Sequence, residues 1–376
     1  MLDISRYPPL LGAVSLVHMA RDFIQRRNSE KKKTVGLRDE FYQSVWRQAA
    51  AELNLDVGDL GGGILEFKEP GDLGLRFKVM KNYTSLDDPV TLRLAGNKSL
   101  SQAVLKRKLI PTPESEVFRL KTIAKARDFL FQSGSPCVVK PASGTGGGQG
   151  VTTQVSNGSQ LGWAASRAAR FHFEIVIERQ IPGANYRLLF LDGELLDVIK
   201  RNPPAVEGDG KSTIVELIRR ENKRRLSGWQ VAQSQLRIDQ DLRQTLASQG
   251  CSLRSRLNSG QRVIVKTVIN DNSSEENEVA MGQVCSEIVA TGRAAAEALG
   301  VTLAGVDVIT DDPSRPLESN GGVVLEVNTT PGMYIHKRGN RCPVVKKILQ
   351  AMVQRTRYQR KAEKQHPFTG IEQFGD

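Results

Sequence analysis

Leu325-Glu326-Val327-Asn328-Thr329-Thr330-Pro331-Gly332 is the stretch on which the fold turns. Its first four residues alternate apolar and polar, the period of a strand with one face in the core. Glu326 and Asn328 then project from one face, Leu325 and Val327 from the other. The turn through Met333 follows at once and can offer backbone N–H groups to a substrate carboxylate or a developing oxyanion. Thr302 to Thr310 reads as the preceding strand, with Asp307 set between Val306 and Val308. If these two strands pair, Asp307, Glu326 and Asn328 bring three hard oxygen ligands together. Such a set suits Mg, which keeps waters and shares ATP phosphate oxygens. Polar residues on a solvent face would give the same pattern, but the apolar flanks argue for carboxylates that are partly buried and need a partner.

Upstream lies Gly144-Thr145-Gly146-Gly147-Gly148-Gln149-Gly150, directly after the strand Cys137 to Lys140. Glycines there let backbone N–H groups approach a phosphate closely. No window satisfies G-x-G-x-x-G, so a dinucleotide fold is not supported. Lys140, followed by Pro141, can reach a phosphate as a point charge from the strand before the loop. Lys98, after Asn97, opens a helix and alone would read as a solvated lysine. Ala205 to Ser212 nearly spells a P-loop. Pro203 and Pro204 intervene after the strand, which favours a turn whose Ser212 or Thr213 caps a helix at Ile214 to Arg220.

The 376 residues carry a net charge of +12 and 39% hydrophobic residues, enough for two or three packed domains and a bias toward anionic partners. Cys137, Cys251, Cys285 and Cys342 form no CxxC pair, which argues against a zinc knuckle or a disulfide framework and suits a reducing cytoplasm. Pro8 to Ala20 is apolar but too short to span a bilayer, and its basic residues follow rather than precede it. It reads as a surface helix docked on the body, with peripheral membrane contact as the alternative.

Four regions follow. Residues 1–96 are an extension plus a small mixed domain, with Phe41, Val45, Trp46 and Ala49 at helix spacing. Residues 97–184 hold two helices, the glycine loop and its strands. Residues 185–350 begin with a hairpin around Asp192-Gly193 and carry the acidic strands, with a basic insertion at 211–262. Within them Met281, Val284, Cys285, Ile288, Val289, Ala295, Ala296 and Leu299 mark one face of a long helix. Residues 351–376 read as a basic, flexible tail.

In order along the chain, Asn97-Lys98, Val139-Lys140-Pro141, the glycine loop, Glu178 to Gly183, Tyr186-Arg187, Gly208 to Ile214, Gly305 to Val308 and Leu325 to Gly332 resemble the ATP-grasp superfamily. The match is nearest to the ATP-grasp half of cyanophycin synthetase, with similarity to glutathione synthetase and D-alanine–D-alanine ligase. The resemblance implies an α+β fold in which two lobes clamp ATP. It implies an ATP-dependent carboxylate–amine ligase that works through an acyl phosphate on amino-acid or peptide-like substrates. Lys98, Lys140, Gly144, Gly146, Gly147, Gly148 and Gly150 would hold the phosphates. Glu178 and the backbone near Ile181 would line the adenine pocket. Asn185 would meet the ribose, at a position where the family often has Asp or Glu. Arg187 and Arg201 would stabilise the transferred phosphoryl group. Asp307, Glu326 and Asn328 would hold Mg, as two ions with Glu326 bridging, with Mn as a substitute.

Cyanophycin synthetase carries a second ligase half that is not expected here. A small-molecule kinase on the same scaffold is one rival reading. A nucleic-acid-binding or regulatory protein, suggested by the cluster Arg219, Arg220, Lys223, Arg224 and Arg225, is another. Aromatics are nearly absent there, so no nucleic-acid partner is expected. The expected partners are a small carboxylate and an amine, with a homo-oligomer left open.

Overall fold

The computed structural model describes residues 11–16, 29–144, 148–227, 235–267, 276–339 and 341–365. The chain opens with helix α1 (Ser29–Glu52), then the antiparallel strands β1 (Asp56–Gly61), β2 (Ile64–Glu69) and β3 (Asp72–Met80). Two short helices follow, α2 (Pro89–Gly96) and α3 (Lys98–Arg107). Their starts are encoded locally. The Asp88 side chain accepts from the Val90 and Thr91 N–H groups with Pro89 at the first turn, and Asn97 caps α3 through Ser99 and Leu100.

The first lobe of the cleft is a four-stranded sheet of order β4-β7-β5-β6. Its strands are β4 (Ser115–Phe118), β5 (Cys137–Pro141), β6 (Thr152–Val155) and β7 (Ile175–Arg179), covered by α4 (Ile123–Ser133) and α5 (Gly158–Ala168). Leu11, in the described turn of the N-terminal apolar stretch, is fully buried in this lobe's core beside Phe118, Ile123 and Leu161. The docked helix is thus seen at 11–16; the rest of that stretch lies outside the described residues.

The second lobe is a five-stranded antiparallel sheet. Its strands are β8 (Ala184–Leu191), β9 (Glu194–Arg201), β12 (Asn277–Val279), β13 (Leu303–Thr310) and β14 (Val323–Asn328). Their order across the sheet is β12-β9-β8-β13-β14. Asp192 and Gly193 both have positive φ, 48° and 75°, as a two-residue hairpin turn requires. Alternation along β8 sorts the faces. Tyr186, Leu188 and Phe190 enter a core under α8 (Ser286–Ala298). Asn185, Arg187 and Leu189 face the other way.

That second face changes character along its length. At one end it is polar. At the other, Leu189, Leu191 and Leu303 join Trp46, Phe67 and Phe77 beneath α1, β1–β3 and the last helix, α10 (Pro343–Gln365). Residues 41–86 therefore share one core with the second lobe and with α10. Helix α10 also runs on to Gln365, so the first part of the expected flexible tail is helical; residues 366–376 lie outside the described set.

Between β9 and β12 an inserted unit has its own core around Val206, Ile214, Leu217, Leu242 and Val263. It holds the pair β10 (Ala205–Glu207) and β11 (Arg262–Ile264) with helices α6 (Ile214–Ser227) and α7 (Gln240–Ser248). The remaining short helix is α9 (Leu317–Asn320). The expected helix through Met281, Val284 and Cys285 begins only at Ser286, with Cys285 at its cap. Gly282 at φ 81° breaks any helix there. Among the described residues, no helix is long and apolar enough to cross a membrane.

Candidate active site

The pairing of β13 and β14 sets Asp307 opposite Glu326 and Gly305 opposite Asn328. The pairing of β13 and β8 sets Asp307 opposite Arg187 as well. Arg187, Asp307 and Glu326 therefore form one row across three strands on the polar face. Asn185 lies opposite Arg201 on β9, one step along the same face. An extra residue, Leu325, bulges from β14 between Glu326 and Val324. It is half-buried, whereas Val327 enters the core, so the expectation that both point inward holds for Val327 alone.

Asp307 is gripped by a fork. Arg187 Nε donates to its Oδ1 at 2.5 Å and Nη2 to its Oδ2 at 2.7 Å, with Arg201 Nη1 at 3.6 Å from Oδ2. All three side chains are about 5% exposed or less. Burial disfavours charge on both arginines. At Arg187 the Asp307 carboxylate more than offsets it and raises the pKa, whereas at Arg201 burial prevails and the pKa is lowered. Gly305 makes the fork possible: a Cβ there would lie 3.1 Å from Arg187 Cδ and Nη1 and 3.0 Å from Pro331 Cβ.

Glu326 gathers cations from three elements, Lys98 at the start of α3, Lys140 on β5 and Arg187 on β8. Lys98 Nζ lies 3.9 Å from its Oε2, and Asn328 Nδ2 donates to its Oε1 at 3.3 Å. Burial would raise the Glu326 pKa, but the charges of Lys98, Lys140 and Arg187 together with the Asn328 bond hold it down to about 2. Lys98 is thus not a solvated lysine. Lys140 itself makes a buried ion pair with Glu178 at 2.6 Å. Gln102 on α3 donates to the other Glu178 oxygen at 3.2 Å and accepts from Ser115 Oγ at 2.8 Å.

The glycine loop is described at its two ends. Gly144, Gly148 and Gly150 have φ of 76°, 71° and 77°. A Cβ on Gly150 would fall 2.7 Å from the Phe171 ring and 2.8 Å from Pro141. Gly146 and Gly147 lie outside the described residues. The Lys98 N–H donates to Ala142 O at 2.9 Å, tying α3 to the start of the loop. Ile181 sits half-buried in the segment joining the two lobes. Gly183 ends that segment with φ 120°, packed against the Thr310 backbone where a Cβ would lie 2.5 Å away. Asn185 is buried, and its Oδ1 has no hydrogen-bond partner.

The near-P-loop is a capped turn. Asp209 Oδ1 accepts from the N–H groups of Lys211 and Ser212, and Glu216 Oε2 accepts from both the N–H and the hydroxyl of Thr213 at the start of α6. Gly208 is forced by crowding, since a Cβ would lie 2.2 Å from Asn258 O. The insertion reaches the first lobe through Asp239, which pairs with Arg167 at 2.8 Å and Lys266 at 3.1 Å, and through Asp241, bonded by Thr153 at 2.9 Å.

No family model matches the chain. It is 28% identical over 248 residues to cyanophycin synthetase of Trichormus variabilis, which spans 65% of this chain and 27% of that protein. It is 25% identical over 324 residues to the glutathione biosynthesis bifunctional protein GshAB of Desulfotalea psychrophila, 84% of this chain and 41% of that protein. Among solved structures, a bifunctional glutathione synthetase from Pasteurella multocida superposes with a TM-score of 0.52 at 22% identity, over 82% of this chain and 43% of that one. The chain has the ATP-grasp fold. It spans 27% to 43% of the length of these relatives.

Within the ATP-grasp fold, the two sheets and the start of α3 bring together Lys98, Lys140, Arg187, Arg201, Glu178, Asp307, Glu326 and Asn328, all singled out in the sequence. Reading the sequence missed Gln102, which orients Glu178, and the group formed by Asp197, His336 and Arg338. A lone histidine after Met333-Tyr334-Ile335 was the signal available for the latter. Among the described residues, no group of three His, Cys, Asp or Glu side chains gathers. A metal reading therefore rests on two carboxylates and an amide. The donor set, all hard oxygen, fits Mg in kind. Both Asp307 oxygens are engaged by Arg187, so Glu326 and the Asn328 amide oxygen are the donors nearest to free.

Proposed function

We propose that this chain is an ATP-dependent ligase that joins a carboxylate to an amine on amino-acid or peptide-like substrates, through an acyl phosphate. The observation that carries this reading is the convergence of four cations on the polar face between the two lobes. Lys98 reaches Glu326, and Arg187 and Arg201 hold Asp307, while Lys140 is charge-coupled to Glu326 and paired to Glu178. The similarity to cyanophycin synthetase and GshAB supports the same class.

In the first step a carboxylate oxygen attacks the γ-phosphorus, the bond to the bridging oxygen breaks, and ADP leaves. In the second the amine nitrogen attacks the carbonyl carbon. The tetrahedral oxyanion collapses, the C–O bond to phosphate breaks with its electron pair, and the amine proton passes to phosphate or solvent. Both steps need charge neutralisation and exclusion of water. Arg187 and Arg201 would stabilise the transferred phosphoryl group. Lys140 would approach from the first lobe and Lys98 from the start of α3. The glycine loop would cover the phosphates, the backbone at Ile181 would meet the base, and Asn185, whose buried Oδ1 lacks a partner, would accept from a ribose hydroxyl. Glu326, Asn328 and Asp307 would hold Mg, which supplies neutralisation of the phosphate oxygens. The four cysteines are unpaired, which suits a cytoplasmic setting.

The test is incubation with Mg-ATP and pools of amino acids and small carboxylic acids, following free phosphate and new product masses. Phosphate release with a condensed product, abolished in Glu326→Ala, is expected. ADP without free phosphate would indicate a kinase instead, and no turnover with any acid and amine pair would sink the ligase reading.

A further inference from the structure

The segment that leaves β14 crosses the polar face like a strap. Asn82 Nδ2 donates to Thr330 O at 2.5 Å. Pro331 then lies over Gly305, where a Cβ would come within 3.0 Å of it. The Tyr334 ring packs on Gly332, where a Cβ would fall 2.6 Å from the ring, and Arg38 stacks over that ring at 5.5 Å. Cys342 Sγ donates to Met333 O at 3.2 Å. The far end lands on β9. His336 Nδ1 lies 2.8 Å from Asp197 Oδ2, and Arg338 Nη2 donates to Asp197 Oδ1 at 2.6 Å. His336 is fully buried and Asp197 only 2% exposed.

Asp197 is opposite Leu189, which is opposite Gly305, which is opposite Asn328. The strap thus crosses the sheet along the row next to Arg187 and Asp307. The Tyr334 side chain is a neighbour of both Arg187 and Arg201. A carboxylate facing Nδ1 fixes the proton of a neutral imidazole on that nitrogen. His336 Nε2 has no hydrogen-bond partner. The ionic groups acting on this imidazole are Asp197 from β9, Arg187 from β8 and Arg338 from its own segment, and burial lowers its pKa.

We propose that His336 is a positioning residue of this site: with Asp197 it latches the 329–336 strap across Gly305 and so fixes the Thr330–Gly332 backbone and Tyr334 beside Arg187 and Arg201. This rests on the ligase reading for its catalytic consequence, because Pro331 of the strap abuts Gly305 beside the Arg187–Asp307 fork. The latch itself is a structural claim with its own readout.

Two substitutions separate the parts. His336→Ala removes the bond to Asp197, whereas His336→Asn keeps an N–H donor at the place of Nδ1. Amide hydrogen exchange across 329–335 is expected to speed up in His336→Ala and in Asp197→Asn, with β8 and β13 unchanged. Acid- and amine-dependent phosphate release should fall about 10- to 100-fold in kcat in His336→Ala, the scale of a misplaced catalytic group. The affinity for Mg-ATP should stay within about twofold. His336→Asn should recover most of both readouts. Unchanged strap exchange in His336→Ala and Asp197→Asn, or an Asn variant no better than Ala, overturns the latch. Wild-type protein that turns over no acid and amine pair defeats the ligase reading instead, and the exchange measurement still decides the latch. If His336→Ala does not fold, Asp197→Asn and His336→Asn carry the same comparison.

Discussion

Replacing Asp307 with alanine should cost far more stability than replacing the arginine that grips it. Asp307 lies between two guanidinium groups, each about 5% exposed. It accepts two bonds from Arg187 and lies 3.6 Å from Arg201. Asp307→Ala leaves two buried like charges facing each other with no carboxylate between them. Removing one partner of a buried pair costs about 3–5 kcal/mol, because an uncompensated charge stays behind. Arg187→Ala leaves Asp307 with Arg201 and with Asn328 Nδ2 at 3.4 Å. The cost then is that of lost charge-assisted bonds with partial compensation, about 1–3 kcal/mol.

The double variant should be less destabilised than the sum of the two singles, with a coupling of about 1–3 kcal/mol. Urea unfolding followed by tryptophan fluorescence gives the three free energies. Because the groups are buried, raising the salt concentration should not reorder them. The reasoning fails if Asp307→Ala is no worse than Arg187→Ala, or if the two losses simply add. Activity should rank differently: under the proposed function Arg187→Ala lowers kcat by about 10²–10³ despite its milder effect on stability.

Three further outcomes follow from the same geometry. The Glu326 pKa is depressed from its ordinary 4.5 to about 2, so its contribution to stability is complete above the unfolded value and is lost as pH falls from about 5 toward 2; Glu326→Gln should flatten that part of a stability–pH curve. Lys140→Met leaves Glu178 buried with Gln102 as its remaining side-chain partner; a loss of about 3 kcal/mol in urea unfolding and weaker binding of a non-hydrolysable ATP analogue by calorimetry are expected. Gly305→Ala pushes a methyl to 3.1 Å from Arg187 Cδ, which should cost about 1–2 kcal/mol by overpacking and lower kcat about tenfold as the Asp307 fork shifts, both measurable on the purified variant.

The acidic cluster was legible because strand alternation is local: two residues apart on one strand share a face, and Asp307 needed only the adjacent strand to pair. The hairpin was legible because Asp192-Gly193 encodes its own turn. Cross-strand register was not legible, so Arg187 could be singled out by resemblance without its fork to Asp307 being seen. The start of α8 was misread because Met281, Val284 and Cys285 continue a helical spacing that Gly282 breaks at positive φ. Apolar period outruns backbone where a turn residue sits inside it. Residues 38–95 read as a small domain of their own and residues 351–376 as a tail because their partners are remote: Trp46 and Met352 belong to the same core as Leu189 and Leu303, and no local pattern encodes that meeting. This bears on the site. The sheet face that carries Arg187 and Asp307 at one end is closed at the other by helices from both termini, and the 329–336 strap lies at the boundary. A change in that distant packing, at Trp46 or Met352, therefore has a direct route to Arg187 through Leu189, two residues along the same strand face.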